Sequence, residues 1–532
     1  MSFEQRWLIE GSLTTHTSLR IGNGDTTTRE KLRQKDSEGR LAGEKIKISA
    51  FTTDAQGRAY LPGTSIKGRL RAWARANRIP KFEDLFGSEM IEKSRHLNAG
   101  GEDAKSKEVG GKAEFWDAFA IEAPASLQLP YWDASRLTAV TTAVSINRRT
   151  RTASEKRLFH QEYVPPGVGF NVTVSGDFND EELDDLLFVL EGFNQPTRAV
   201  TLGASTGDGW GRVRWELTGI KRLQASEVAA WMQSGGAGYA ALKELTPGQR
   251  RALAAKAQQR AVAAASRACV RLKVRLHFDS HFLVNDPSQT GTEEEGKPTH
   301  APLLDRGGKV YLPASSIRGA LRSQAEKILR TLGGDGAACY LDGRGLRKPC
   351  DPVDKVEELG ELCPACQVFG APGWRSPVEF SDFVPAQLLV LLPQEFVAVD
   401  RFTGGGAKGL KFNATAAYHP TLTGYVSLDL TALQRAVTGA WALGLLALTL
   451  RDLLEGDVRL GFGAAKGYGA LRASVESVSV PEWSDCPRVF KRNIDEDLWQ
   501  TLDAGGPLDD RLKIAMQDWV NAIQKRVEGE KQ

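Results

Sequence analysis

The chain has no run of about 18 apolar residues, so no membrane-spanning helix is expected. Its opening, Met1-Ser2-Phe3-Glu4-Gln5-Arg6, lacks the features of a secretory signal, and a cytoplasmic location is expected. Neither charge sign dominates: 69 Lys and Arg stand against 66 Asp and Glu, a net charge of +3. Recognition of a polyanion would therefore need local basic clusters rather than a bulk field. Cysteine is sparse, with 6 in 532 residues, which excludes a disulfide-dense scaffold. With 41% hydrophobic and 25% charged residues the chain reads as globular, and it is too long for one core.

What the chain does contain, it contains twice. Leu61-Pro62-Gly63-Thr64-Ser65-Ile66-Lys67-Gly68 returns as Leu312-Pro313-Ala314-Ser315-Ser316-Ile317-Arg318-Gly319. Ile146-Asn147-Arg148-Arg149-Thr150 returns as Val399-Asp400-Arg401-Phe402-Thr403, and the glycine-rich run Leu202 to Arg212 returns as Leu460 to Ala470. The offsets are 251 (62 to 313), 253 (148 to 401) and 258 (203 to 461). Three motifs in one order at nearly one offset imply a duplicated domain. Each copy opens on a period-two strand: Trp7, Ile9, Gly11 and Leu13, then Val270, Leu272, Val274, Leu276 and Phe278. Helices are expected after each Pro62/Pro313 segment, capped by Thr64 or Ser65 and by Ser315 or Ser316. Further helices are expected over 181–191 and 430–450.

Strands and helices mix without strict alternation, which points to α+β, a sheet with helices on one face. The expected limits are a first copy over 1–218, an alanine-rich helical linker over 219–268, a second copy over 269–478, and a helical tail over 479–532. Polar insertions at 92–111 and 288–298 read as long loops. Cys339, Cys350, Cys363 and Cys366 follow C-x10-C-x12-C-x2-C. That spacing in a non-secreted chain suits structural zinc, closed by four thiolates; four reduced cysteines in a loop are the alternative.

The helix starts put N–H groups, hydroxyls and the cations Lys67, Arg69, Arg71, Arg318 and Arg322 where a phosphate could bind, or are ordinary capped helices. The glycine-rich runs match neither the Walker nor the dinucleotide pattern, because a strand follows. Either they meet a nucleic-acid backbone, with Lys466 in reach, or they are tight structural turns. Arg148, Arg149 and Arg151, and Arg401, Lys408 and Lys411, with neighbouring Phe159 and Phe412, suggest projecting hairpins for single-stranded nucleic acid, or else solvated surface hairpins.

Taken together, the Pro-Gly-Thr-Ser-Ile-Lys-Gly helix start, Cys-Pro-Ala-Cys-Gln-Val-Phe-Gly, Val-Asp-Arg-Phe-Thr-Gly-Gly and the late glycine loop resemble the RAMP superfamily, specifically the backbone subunits of type III CRISPR effectors. A tandem fusion resembles the double-backbone subunit of III-D-like systems. The resemblance implies two ferredoxin-like (RRM-like) domains with thumb hairpins and a zinc-knuckle insertion in the second. It implies a CRISPR guide RNA, a target RNA and other type III subunits as partners. In some members an aspartate with Mg2+ or Mn2+ assists 2′-OH attack on the target. The family's Asp-Asn-Pro-Val-like segment is missing from both copies. Asp400 is the candidate instead, or a hairpin carboxylate holding Arg401; Asp25 and Asp36 are candidates in the first copy, where Asn147 replaces Asp400. A non-catalytic scaffold is one alternative. The other is a guide-processing ribonuclease, for which His160 and His300 are available but no matched His/Tyr/Lys cluster is evident.

Overall fold

The computed structural model describes residues 4–30, 34–35, 41–42, 45–77, 79–87, 110–123, 129, 132–147, 153–195, 199–233, 242–265, 269–286, 299–305, 308–340, 348–350, 356–436, 440–493, 495–503 and 510–529. The two polar insertions lie outside them, apart from Gly110 and Gly111.

The repeat in sequence is a repeat in strand order. In the first copy Gln5–Thr15 lies between Val213–Gln224 and Gly169–Gly176, with Glu114–Phe115 and Ala118–Glu122 beyond the latter. In the second, Cys269–Phe278 lies between Leu471–Ser479 and Thr421–Asp429, with Val378–Phe380 and Val384–Pro385 beyond. All these pairings are antiparallel. The opening strand breaks register against the closing strand at Glu10/Gly11 in one copy and at Lys273/Val274 in the other. Gly11 is required at its bulge, because a Cβ there would stand 2.1 Å from the Trp215 ring.

Helix spacing explains the cores. Ile66, Leu70, Trp73 and Ala74 form one stripe of Gly63–Ala76, and Ile317, Leu321, Ala325 and Leu329 form one stripe of Ala314–Gly333. These stripes close over Ile9, Leu13 and Val172 in the first copy and over Val274, Leu276 and Phe278 in the second. Each fully buried side chain of this size contributes about 1.5–3 kcal/mol. The expected helix over 181–191 is Asp180–Leu190, closed by an Asn179/Glu182 capping box. The stretch 430–450 is two helices, Leu430–Ala436 and Trp441–Leu454. No single helix among the described residues is long and apolar enough to cross a membrane.

The alanine-rich helix Pro247–Ala265 does more than connect. Ala257 and Ala261 are buried in the first core, and Lys256 and Arg260 pair with Asp184 and Asp185. Its small residues let it lie close on Asp180–Leu190. The tail helix Asp510–Gly529 likewise buries Trp519, Ile523 and Val527 in the second core. A Cβ on Gly444 would stand 2.1 Å from the Trp519 carbonyl, so the helix pair depends on glycine there.

A two-stranded ladder extends from each sheet. Ala139–Ile146 pairs with Ala153–Tyr163, and Leu391–Val399 with Gly406–Tyr418. The first ladder is widened by Lys45–Phe51 and Gly22–Glu30. At its base the Glu162 side chain is fully buried. It accepts from Arg136 Nε at 3.0 Å, Thr138 Oγ1 at 2.7 Å and Phe51 N at 2.8 Å, tying three strands together. Burial alone would raise this carboxyl, but the hydrogen bonds from Arg136, Phe51 and Thr138 outweigh it and hold it below its ordinary value. Its stabilisation is therefore complete above the unfolded glutamate range, near pH 4.3, and is lost as pH falls through the depressed folded value. We expect Glu162→Gln to lower stability at pH 7 by about 3 kcal/mol and to flatten the acid limb of the first copy's melting curve. An unchanged acid limb would refute that role.

Candidate nucleic-acid interface and metal centre

The four spaced cysteines meet in space. Their Sγ atoms all lie within 4.8 Å of one another, with Cys339–Cys366 at 3.6 Å and Cys339–Cys363 at 3.7 Å. Tetrahedral zinc with bonds of about 2.3 Å sets sulfurs about 3.8 Å apart, so these separations fit a zinc site of four thiolates. Cys363 stands at the start of the helix Pro364–Phe369, with Pro364 at its first position, and its N–H donates to Cys350 Sγ at 3.2 Å. Arg322 approaches the cluster from behind, with Nη2 3.0 Å from Cys366 Sγ, Nε on Glu326 and Nη1 on the Gly370 carbonyl. Burial opposes its charge, but the Cys366 sulfur and the Glu326 carboxylate more than restore it.

The helix starts differ from expectation. Thr64, Ser65, Ser315 and Ser316 are not the caps; neither helix has a side-chain cap at its N-cap residue, which is a proline. Instead Asp117 Oδ1 accepts from Gly63 N, and Asp382 Oδ1 accepts from Ala314 N, each at 2.8 Å. The anion at each helix start is thus the protein's own carboxylate, where a phosphate had been one reading. Burial raises the Asp382 carboxyl despite the Ala314 hydrogen bond. The recurrence of Phe115-Trp116-Asp117 as Phe380-Ser381-Asp382 is the sequence signal that could have found this device.

The glycine runs are structural turns whose close contacts are with the protein's own backbone. Cβ atoms at Gly203, Gly211 and Gly469 would stand 2.1, 2.0 and 2.2 Å from the carbonyls of Arg20, Leu202 and Leu460. The same hydrogen bonds recur: Leu202 N to Gly211 O and Gly211 N to Ser18 O, then Leu460 N to Gly469 O and Gly469 N to His281 O.

The basic candidates separate into inward and outward groups. Lys67 Nζ donates to the Ala113 carbonyl, and Arg69 to Thr201. Burial lowers the Arg69 guanidinium to about 10. Arg318 bonds Asp208 and the Phe369 carbonyl, and Arg71 is half-buried. Arg401 and Lys408 are exposed on the second hairpin, with Phe402 fully exposed at its tip and Val397, Val399 and Leu410 exposed along it. Lys411 is exposed but pairs with Glu395 at 3.1 Å. Arg148, Arg149, Arg151 and Asp36 lie outside the described residues. Val144, Ile146, Leu158 and Phe159 are exposed on the first hairpin.

Asp400 Oδ1 accepts from Phe402 N, Thr403 N and Thr403 Oγ1, so the carboxylate orders its own turn rather than holding Arg401. Those hydrogen bonds, from Thr403 first, keep it below its ordinary value. Asp25 is exposed beside Asn23, whose amide donates to it at 2.9 Å. Neither aspartate belongs to a group of metal-type ligands among the described residues.

The structure also gathers residues that sequence reading had not joined. Lys466 Nζ sits 4.1, 5.1 and 5.7 Å from the ring centroids of Phe412, Phe462 and Phe396. The His300 ring lies tilted against Phe462 with centroids 4.3 Å apart, and its Nδ1 is buried with no hydrogen-bond partner among the described residues. His281 stacks 5.4 Å from Tyr468, whose hydroxyl donates to Gln394. Burial and then Lys466 lower the His300 imidazole, and burial lowers Lys466. A His/Tyr/Lys cluster therefore does exist at the base of the second hairpin. Its His, Lys and Tyr members come from three segments of the sequence, at 281, 300 and 466–468.

A duplicated antiparallel sheet packed against helices, an extended ladder in each copy and one cysteine knuckle define a tandem α+β protein. The chain belongs to the RAMP superfamily, whose family model matches residues 12–214 and again 236–472. No curated protein matches it. Proteins of this family bind CRISPR RNA and act in multisubunit complexes, and membership places the chain among CRISPR-associated RNA-binding subunits.

Proposed function

We propose that the chain is a backbone subunit of a type III, III-D-like, CRISPR effector, holding guide RNA across both copies. The observation that carries this is the pair of extended ladders, one per copy, with exposed apolar side chains on each and exposed cations on the second. Cations hold phosphates while apolar tips wedge between bases, the combination that suits a single strand. The strand order supports a ferredoxin-like palm, and the hairpins serve as its thumbs. Target cleavage in at least one copy falls to Asp25 or Asp400. Mg2+ or Mn2+ would offset the phosphate charge there, drawing its other ligands from RNA and water.

One observation favours a second reading, metal-free ribonuclease action: the His300 imidazole, whose Nδ1 has no hydrogen-bond partner among the described residues, lies near Lys466. Neutral His300 would take the 2′-OH proton, O2′ would attack phosphorus, the P–O5′ bond would break, and Lys466 would protonate the leaving O5′. The test is to purify the chain from cells carrying a CRISPR array and sequence the bound RNA, then to assay cleavage in the assembled complex. Uniform short RNAs with repeat-derived ends are expected; a random mixture or no RNA would count against the guide role. Cleavage abolished by EDTA and by Asp25→Ala or Asp400→Ala supports the carboxylate reading. EDTA-resistant cleavage lost in His300→Ala supports the second, and no cleavage in any form leaves a scaffold.

A further inference from the structure

The contact between the two copies has a polarity that leaves one unused end on each. The glycine turn of the first copy lies against the helix start of the second. Asp208 Oδ1 and Arg318 Nη1 are 2.6 Å apart, and a Cβ on Gly209 would stand 3.3 Å from Ala314 Cβ and from the Phe380 carbonyl. The same glycine turn in the second copy has no helix start against it among the described residues: Ala464, Ala465, Lys466 and Gly467 are exposed, and a Cβ on Gly467 would meet nothing within 4 Å. The helix start of the first copy is the other unused end, with Thr64 exposed.

Hydrogen bonding sets the equivalence of positions. Asp208 N donates to Ser205 O, and Lys466 N donates to Gly463 O, with Ser205 and Gly463 both left-handed. Lys466 thus stands where Asp208 stands. At the helix starts, Asp117 and Asp382 bond Gly63 and Ala314, so Lys67 stands where Arg318 stands. Both cations donate to a nearby carbonyl, Lys67 to Ala113 and Arg318 to Phe369. The guanidinium fork has a second arm left for Asp208.

We propose that this joint is charge-coded: it closes once within the chain and is blocked between chains, where Lys466 would meet Lys67. Each free end then selects a domain of the same kind bearing a carboxylate at the facing position. The partner of the second copy's turn carries Asp or Glu at the place of Arg318. The partner of the first copy's helix start carries Asp or Glu at the place of Asp208. Like charges in a half-buried contact suppress the wrong pairing more strongly than a neutral surface would. Lys67 is already lowered by burial and by Arg71, so a second cation brought against it is poorly tolerated.

The inference rests on the duplicated fold and not on the RNA reading, so its test uses the RNA-free chain of 532 residues. Sedimentation velocity at low salt should give wild type as a monomer of 58.0 kDa. Lys466→Asp should produce head-to-tail oligomers, with dimer dissociation tightened at least tenfold. Lys67→Asp should do the same from the other end, which guards against one variant failing to fold. The double variant, with like charges restored, should return to monomer. Wild type that self-associates through this joint, or either well-folded single variant that stays monomeric to millimolar concentration, would overturn the proposal. So would a double variant that associates as the singles do.

Discussion

Cys363→Ser or Cys366→Ser should remove both the metal and the fold of the second copy while the first copy survives. Zinc held by four thiolates contributes about 10–16 kcal/mol in small zinc folds. That equals or exceeds the entire stability of a typical domain, about 5–15 kcal/mol. The knuckle is not a surface ornament: Cys339, Cys363 and Cys366 are buried in the same core as Leu359, Leu362, Val368 and Phe369. Losing one sulfur leaves two buried thiols and the half-buried Cys350 with an incomplete ligand set, and opens that core to water. Elemental analysis should find about one zinc per chain in wild type and almost none in either variant, and the second copy's melting transition should disappear. Cys269 and Cys486 lie outside the cluster, so Cys269→Ala should keep its zinc. Arg322→Met should weaken zinc by roughly 10–100-fold, the range for removing a group that orients a ligand. A Cys363→Ser protein with full zinc and an unchanged melt would end the structural-zinc account.

Single-stranded RNA binding should lose about two units of its salt slope when Arg401, Lys408 and Lys466 are replaced together by alanine. Each phosphate contact on a single strand contributes about 0.7 to the slope of log K against log salt. Three lost contacts lower that slope by about 2, and affinity near 150 mM salt should fall on the order of 100-fold. Lys411→Ala should cost little, because its ammonium already pairs with Glu395 and an exposed pair contributes about 1 kcal/mol or less. Phe402→Ala should reduce affinity by an amount that hardly changes with salt, about 1–3 kcal/mol if the exposed ring stacks on a base. Titrations at several salt concentrations separate the two effects. If the triple variant kept the wild-type slope, RNA would not be running along the second hairpin.

The duplication, the α+β character, the cysteine knuckle and the hairpins were legible in the sequence because each rests on local spacing. Period-two strands such as Val270 to Phe278 and the stripe Ile317, Leu321, Ala325 and Leu329 record which side of an element faces the core. The C-x10-C-x12-C-x2-C spacing records a chemistry that needs four soft ligands close together. Local pattern also misled in definable ways. Serines after Pro62 and Pro313 look like caps, yet the donors are met by Asp117 and Asp382, 54 and 68 residues further on. The cations near the helix starts read as phosphate contacts, yet Arg322 faces the cysteine cluster and Arg318 faces the other copy.

Only tertiary structure could decide these roles. Whether a cation meets solvent, sulfur or a carboxylate depends on what other segments bring within about 3 Å, and short-range pattern does not carry that. The His300, Lys466 and Tyr468 cluster shows the same limit, since His300 comes near the other two, both of the glycine turn, only in the fold, across the rings Phe396 and Phe412 of the second hairpin. So does the difference between Asp208 and Lys466. It is one substitution in a repeated turn in the sequence, and a used joint beside an open one in the fold. Sequence determined that this protein is two copies of one α+β RAMP design. Packing decided which copy's turn is buried against the other, because only one of two equivalent ends can be satisfied in a head-to-tail pair.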